Sequence, residues 1–200
     1  MRHTVDELLA IAYHYYARGL THADPGYYDT QERQRLIDAR RHAGTEDRFE
    51  CWRDMIGRLD ARFPDRYIMD RSLHLHTGTW DACYSGRLIM PPLPGEDQRH
   101  IGFFVSFLVP YYVVYTNRVT FLDMHDPAHR EDWVQENIAF TFAADEEPYA
   151  RAFIAEIEAT YPDHEPMPPE VGRVIVPGVV TNLRYIDTAT LFDCLFSDEW

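Results

Sequence analysis

The chain has 200 residues, 46% apolar and 26% charged, with a formal net charge of −14; that is a globular composition, long enough to bury a sizeable core in one domain. The charge is lopsided, with 12 Arg against 13 acids over residues 1–71 and 7 Arg against 20 acids over residues 72–200. An acidic field selects basic partners and repels nucleic acid and anionic membrane, and because all 19 basic residues are Arg, Schiff-base lysine chemistry and the lysine of a phosphate-binding loop are excluded.

The front third reads as helices. Thr4 opens a T-x-x-E capping box with Glu7, and Val5, Leu8, Leu9, Ala12, Tyr13 and Tyr16 follow at helical spacing, with Gly19 placed to supply the C-terminal turn. Thr30 can cap a second, mostly charged helix that ends near Gly44. A third, from about Glu46, carries Phe49, Trp52, Ile56, Leu59 and Phe63 on one side and stops before Pro64.

The middle reads as sheet. Leu73 and Leu75 alternate with His74 and His76 at a period of two, and the tight Thr77-Gly78-Thr79 turn joins them to a second strand over 80–89, which makes a hairpin. Residues 91–97 are a proline-rich loop. Residues 101–109 are apolar on both faces, as a central strand is; Pro110 marks a break or bulge, after which 111–115 resume the strand. Thr116-Asn117-Arg118 reads as a turn into 119–121. Asp126-Pro127 can open a short helix, 138–142 looks like a strand, and 145–161 is a helix with acids at its start. Residues 162–170, with four prolines, form a rigid connection; 174–180 are β-rich but interrupted at Pro177-Gly178. Leu191, Phe192, Leu195 and Phe196 give an amphipathic end that docks on the core.

The expected fold is α+β: N-terminal helices packed on a mainly antiparallel sheet, with a further helix near 146–161. The domain is single, 1–200, with a helical part at 1–63 and a sheet-rich acidic part at 64–200. Three cysteines at wide spacing make no disulfide framework and point to a reducing compartment. The N-terminus lacks a signal-peptide apolar region, and the most apolar run, 103–115, is too short to span a bilayer. The expected location is therefore the cytoplasm, without membrane contact.

Histidine is the sharpest chemical feature. His74 and His76 have a spacing at which two imidazoles can share a metal, with His100, His125, His129, Asp123 and Asp126 as further ligands. An outward strand face that happens to carry histidine is the commoner outcome, so no metal or other cofactor is assigned. Cys83 with a distant histidine could form a nucleophile, although a small buried thiol is the usual fate of a strand cysteine. No nucleophile elbow, glycine-rich phosphate loop or EF-hand loop is present.

The densest charge lies between Asp123 and Glu147, with 8 acids, one Arg, and Trp133, Phe140 and Tyr149 close by. Acids beside aromatics suit a site for a basic protein, because charge speeds encounter and aromatics anchor it. The candidate partner-binding residues are Asp123, Asp126, Glu131, Asp132, Trp133, Glu136, Glu146 and Glu147. A solvated face that keeps the protein soluble has the same composition.

In general character the chain resembles the immunity proteins of bacterial toxin systems. The stretches that carry the resemblance are Ser72-Leu73-His74-Leu75-His76-Thr77-Gly78 with Trp80-Asp81-Ala82-Cys83-Tyr84-Ser85-Gly86, Met167-Pro168-Pro169-Glu170-Val171-Gly172, and Leu191-Phe192-Asp193-Cys194-Leu195-Phe196-Ser197-Asp198-Glu199-Trp200. The resemblance implies a non-catalytic inhibitor that neutralises a cognate toxin by direct binding, with a basic toxin domain as partner and no functional residue carried over. The alternative is a small metal- or Cys-dependent enzyme that uses His74, His76 and Cys83.

Overall fold

A computed structural model describes residues 2–72, 81–121 and 134–198 of the chain. The fold is α+β, with N-terminal helices and a mainly antiparallel sheet. Helix α1 (Val5–Tyr15) starts at the expected capping box, in which the Thr4 side chain accepts from the Glu7 N–H and Glu7 reaches back to the Thr4 N–H. It ends earlier than the position of Gly19 implies: Gly19 does take a left-handed φ of 72°, but beyond the helix, where its N–H donates to the Gly178 carbonyl. Helix α2 (Gln31–Ala43) is capped by Thr30, and α3 (Glu46–Arg62) ends before Pro64, both as the spacing predicts.

The sheet runs in the order β1 (Ile68–Asp70), β2 (Cys83–Met90), β3 (Gln98–Ser106), β4 (Tyr111–Phe121), β5 (Val134–Ala139), all antiparallel; β6 (Glu165–Pro166) pairs parallel with the start of β4. The first strand and turn of the expected hairpin, 73–79, lie outside the described residues, as does the helix expected at Asp126; the hairpin's second strand, expected over 80–89, is β2, whose described partners are β1 and β3. Two readings of the middle are corrected. Pro110 does not interrupt one strand; it sits in the reversal between β3 and β4, which pair along their length. Thr116-Asn117-Arg118 is not a turn but the middle of β4, and Thr116 and Asn117 are buried there. Helix α4 (Glu147–Thr160) lies where expected, followed by the short α5 (Pro169–Gly172) and α6 (Leu191–Leu195).

Both faces of the sheet are covered, because β3 and β4 carry apolar side chains on both. On one face Ile101, Phe103, Val105, Tyr112 and Val114 pack under α3 and α4, against Trp52, Met55, Leu59, Phe153 and Ile157. On the other, Phe104, Tyr111, Val113 and Tyr115 pack against Leu8 and Ala12 of α1 and against Leu191, Leu195 and Phe196 of the C-terminal segment. Two glycines fit the sheet to its aromatics. Gly86 and Gly102 lie opposite Phe103 and Tyr115 in the register, and each ring folds across its partner glycine where a Cβ would collide with it.

Arg99 and Arg118 are direct cross-strand partners on the α4 face, and like charges so placed repel. Glu146, fully buried at the start of α4, is set between them, 3.5 Å from each guanidinium. The Thr116 hydroxyl and the Ala143 N–H also donate to the Glu146 carboxylate, at 3.0 and 2.8 Å. Asp145 adds a 2.8 Å pair to Arg99, and that guanidinium holds the Asp145 carboxyl below its usual range. The cluster thus turns a repulsive pair into the attachment of α4 to the sheet. Glu146→Ala leaves Arg99 buried against Arg118 without this carboxylate. The expected loss is about 3 kcal/mol, at the low end for a broken buried ion pair because Arg118 keeps solvent contact; urea unfolding measures it.

Candidate functional site

Only the end of the acidic segment, from residue 134, is described. Asp123, Asp126, Glu131, Asp132 and Trp133 lie outside the described residues, as do His74, His76, His125 and His129. Glu136 is in β5, opposite Val119. Glu147 is half-exposed and pairs with Arg151 at 2.8 Å, one helical turn on. Glu146 is corrected: it cannot meet a partner protein, because its carboxylate is enclosed and consumed by Arg99, Arg118, Thr116 and Ala143.

The alternative catalytic set loses its nucleophile. Cys83 is 1% exposed, in the apolar cluster beneath α1. Burial, with help from the Asp81 charge, pushes its thiol well above the usual range. A nucleophilic cysteine needs the opposite, exposure and a depressed pKa. His100, raised above as a further metal ligand, is also buried and lies opposite Asn117. Burial first, then Arg87 and Arg71, lower its pKa to about 4, so the imidazole is neutral. Among the described residues no group of three His, Cys, Asp or Glu can hold a metal ion, and no helix is long and apolar enough to cross a membrane.

A surface that the sequence reading missed lies at the C-terminal loop, 173–190. Buried carboxylates hold this loop from below. Asp193 completes a capping box with Thr190 and takes Arg184 at 3.1 Å. Asp198, 4% exposed, accepts from the Thr181 hydroxyl and the Leu183 N–H, both at 2.6 Å. Asp187 adopts a left-handed φ of 61° and accepts from the Gly178 N–H at 2.7 Å. The loop points apolar tips outward: Leu183 is 54% and Tyr185 82% exposed, and Ile175 and Ile186 are exposed as well. Leu183 and Tyr185 line an open cup of about 470 Å³ with Ile138, Phe140 and Phe192. Phe140 stacks on Phe192 at 5.4 Å and carries the Arg173 guanidinium over its ring. Ile138 belongs to β5, two residues after Glu136, so the strand that leaves the acidic segment forms one wall of the cup. The available signal was Leu183, Tyr185 and Ile186 in a turn-rich stretch with no partner strand, too many apolar residues for a solvated loop.

Comparisons with family models, with curated proteins and with solved structures find no match.

Two measurements check this placement. Iodoacetamide should modify one thiol of the folded chain, Cys51, because Cys83 and Cys194 are buried, and all three in urea; peptide mapping by mass spectrometry identifies the sites. The unfolded His100 imidazole titrates near 6.5 and the folded one near 4. Between those values the unfolded chain binds more protons, so stability falls as pH falls. His100→Gln should flatten that part of the stability–pH curve from denaturant titrations, leaving the carboxylate-dependent loss in place.

Proposed function

We propose that the protein is a non-catalytic binding protein of the immunity type, which acts in the cytoplasm by occluding a cognate basic toxin domain. The observation that carries this reading is the cup at the C-terminal loop. Four exposed large apolar side chains gather on one rigidly held loop, beside the strand that emerges from the most acidic part of the chain. A central apolar anchor flanked by charge is the arrangement that gives tight, fast association. The net negative charge of the chain speeds the encounter with a cationic surface, and the cup takes an apolar side chain of the partner once the surfaces meet. An inhibitor of this kind needs no reacting group; it excludes the toxin's substrate by covering its cleft.

The test compares the wild-type chain with Leu183→Asp and Tyr185→Asp in parallel affinity captures from the source cells. Both positions are exposed, so the variants should unfold within about 0.5 kcal/mol of wild type. The partner should be basic, retained by the wild type, released by salt, and bound at least tenfold more weakly by either variant. Once purified, its activity should be inhibited stoichiometrically by the wild-type chain. Identical captures by wild type and variants, or binding indifferent to salt, would overturn the proposal.

A further inference from the structure

A second concavity, about 450 Å³, opens between the start of α3, the end of α4 and the β3–β4 turn. Its floor is aromatic. Tyr84 lies edge-on to Phe107 at 5.9 Å and stacks with Tyr161 at 6.2 Å, and Trp52 backs Tyr84 at 5.3 Å. The Tyr84 hydroxyl is already committed, donating to the Ala43 carbonyl at 2.7 Å. Trp52 and Tyr161 thus cover the two faces of Tyr84 while Phe107 stands edge-on, and the concavity has the size that takes a single small ring system.

Three polar groups surround it without partners among the described residues. Arg48, on the rim, makes no ion pair. Its neighbour Asp47 also faces the groove, but Asp47 lies in the first turn of α3, where the helix dipole already favours an acid and disfavours a cation. The unmatched charge at the rim is thus positive. The Tyr161 hydroxyl and His164 Nδ1 are enclosed and unbonded, and each such group costs about 1–3 kcal/mol in the free protein. His164 Nε2 lies 3.1 Å from the Ser106 carbonyl, which only accepts, so Nε2 carries the proton and Nδ1 presents a lone pair. Burial lowers the pKa of that imidazole, which favours its neutral form.

We propose that this groove binds a small planar aromatic carboxylic acid bearing a ring hydroxyl or N–H. The ring takes the Tyr84 face that Tyr161 now covers, with Phe107 at its edge, and the carboxylate meets Arg48. The ring donor reaches His164 Nδ1 as the half-exposed Tyr161 ring swings aside, which also frees the Tyr161 hydroxyl to bond. This site is separate from the cup at the C-terminal loop and does not depend on the immunity-type reading.

The test uses three ring-matched probes: 4-hydroxyphenylacetate, the neutral 4-hydroxyphenylethanol and the cationic tyramine. Binding is read by ligand-observed NMR titration up to about 10 mM and by protection of Cys51, the exposed thiol on the groove rim, from alkylation. The acid should bind most tightly and the amine least, and bound acid should slow Cys51 modification. Arg48→Gln, at an exposed position, should weaken the acid about tenfold and leave the neutral alcohol unchanged. No binding by any probe, equal binding of acid and amine, or an acid affinity unaffected by Arg48→Gln would overturn the inference.

Discussion

Strands β3 and β4 are apolar on both faces, and from this the rest of the architecture follows. A sheet with one wet face needs a single helical layer, but this one needs two. Helices α3 and α4 supply one layer; α1, α6 and the C-terminal loop supply the other. The C-terminal segment is therefore part of the core: residues 191–198 are all buried. Its loop inherits a rigid base from that packing, and this lets exposed Leu183 and Tyr185 hold a defined shape instead of collapsing onto the nearest apolar surface.

Buried charge does the positioning that apolar contact leaves open. Burial alone allows a helix to slide over a sheet face, since one methyl group substitutes for another. Glu146 between Arg99 and Arg118 fixes where α4 begins, and Asp193 with Asp198 fixes where the C-terminal loop folds back. Glu146 takes donors from strands about thirty to fifty residues away, and Asp193 and Asp198 take theirs from the loop that they fold back, so a register error would strand a charge. That cost makes the wrong arrangement unfavourable to a degree that hydrophobic packing does not achieve.

This division explains what could be read from the sequence. Periodic apolar residues and local caps announced α1, α2, α3 and α4, because their determinants lie within a few residues of one another. The polar triplet Thr116-Asn117-Arg118 looked like a turn, because its reason for being in a strand is Glu146, about thirty residues further on. Glu146 in turn looked like an ordinary helix-start acid available to a partner. Pro110 was legible as a break, but sequence does not distinguish a bulge from a reversal. The cup escaped notice because its walls come from β5 and from a loop whose supports, Asp193 and Asp198, appear in sequence as ordinary surface acids. The resemblance to immunity proteins rested on general character and located none of this.

The packing of α1 against α6 has a consequence for the time order of folding. These elements stand near opposite ends of the sequence, and the apolar cluster around Leu8 and Ala12 is complete only when residues 191–196 exist. At ordinary translation rates that interval is about 10–40 s. From the completion of β5 until residues 191–196 have been made, α1 alone cannot cover the sheet face that it shares with the C-terminal segment, so part of that face stays open for a period much longer than any elementary folding step.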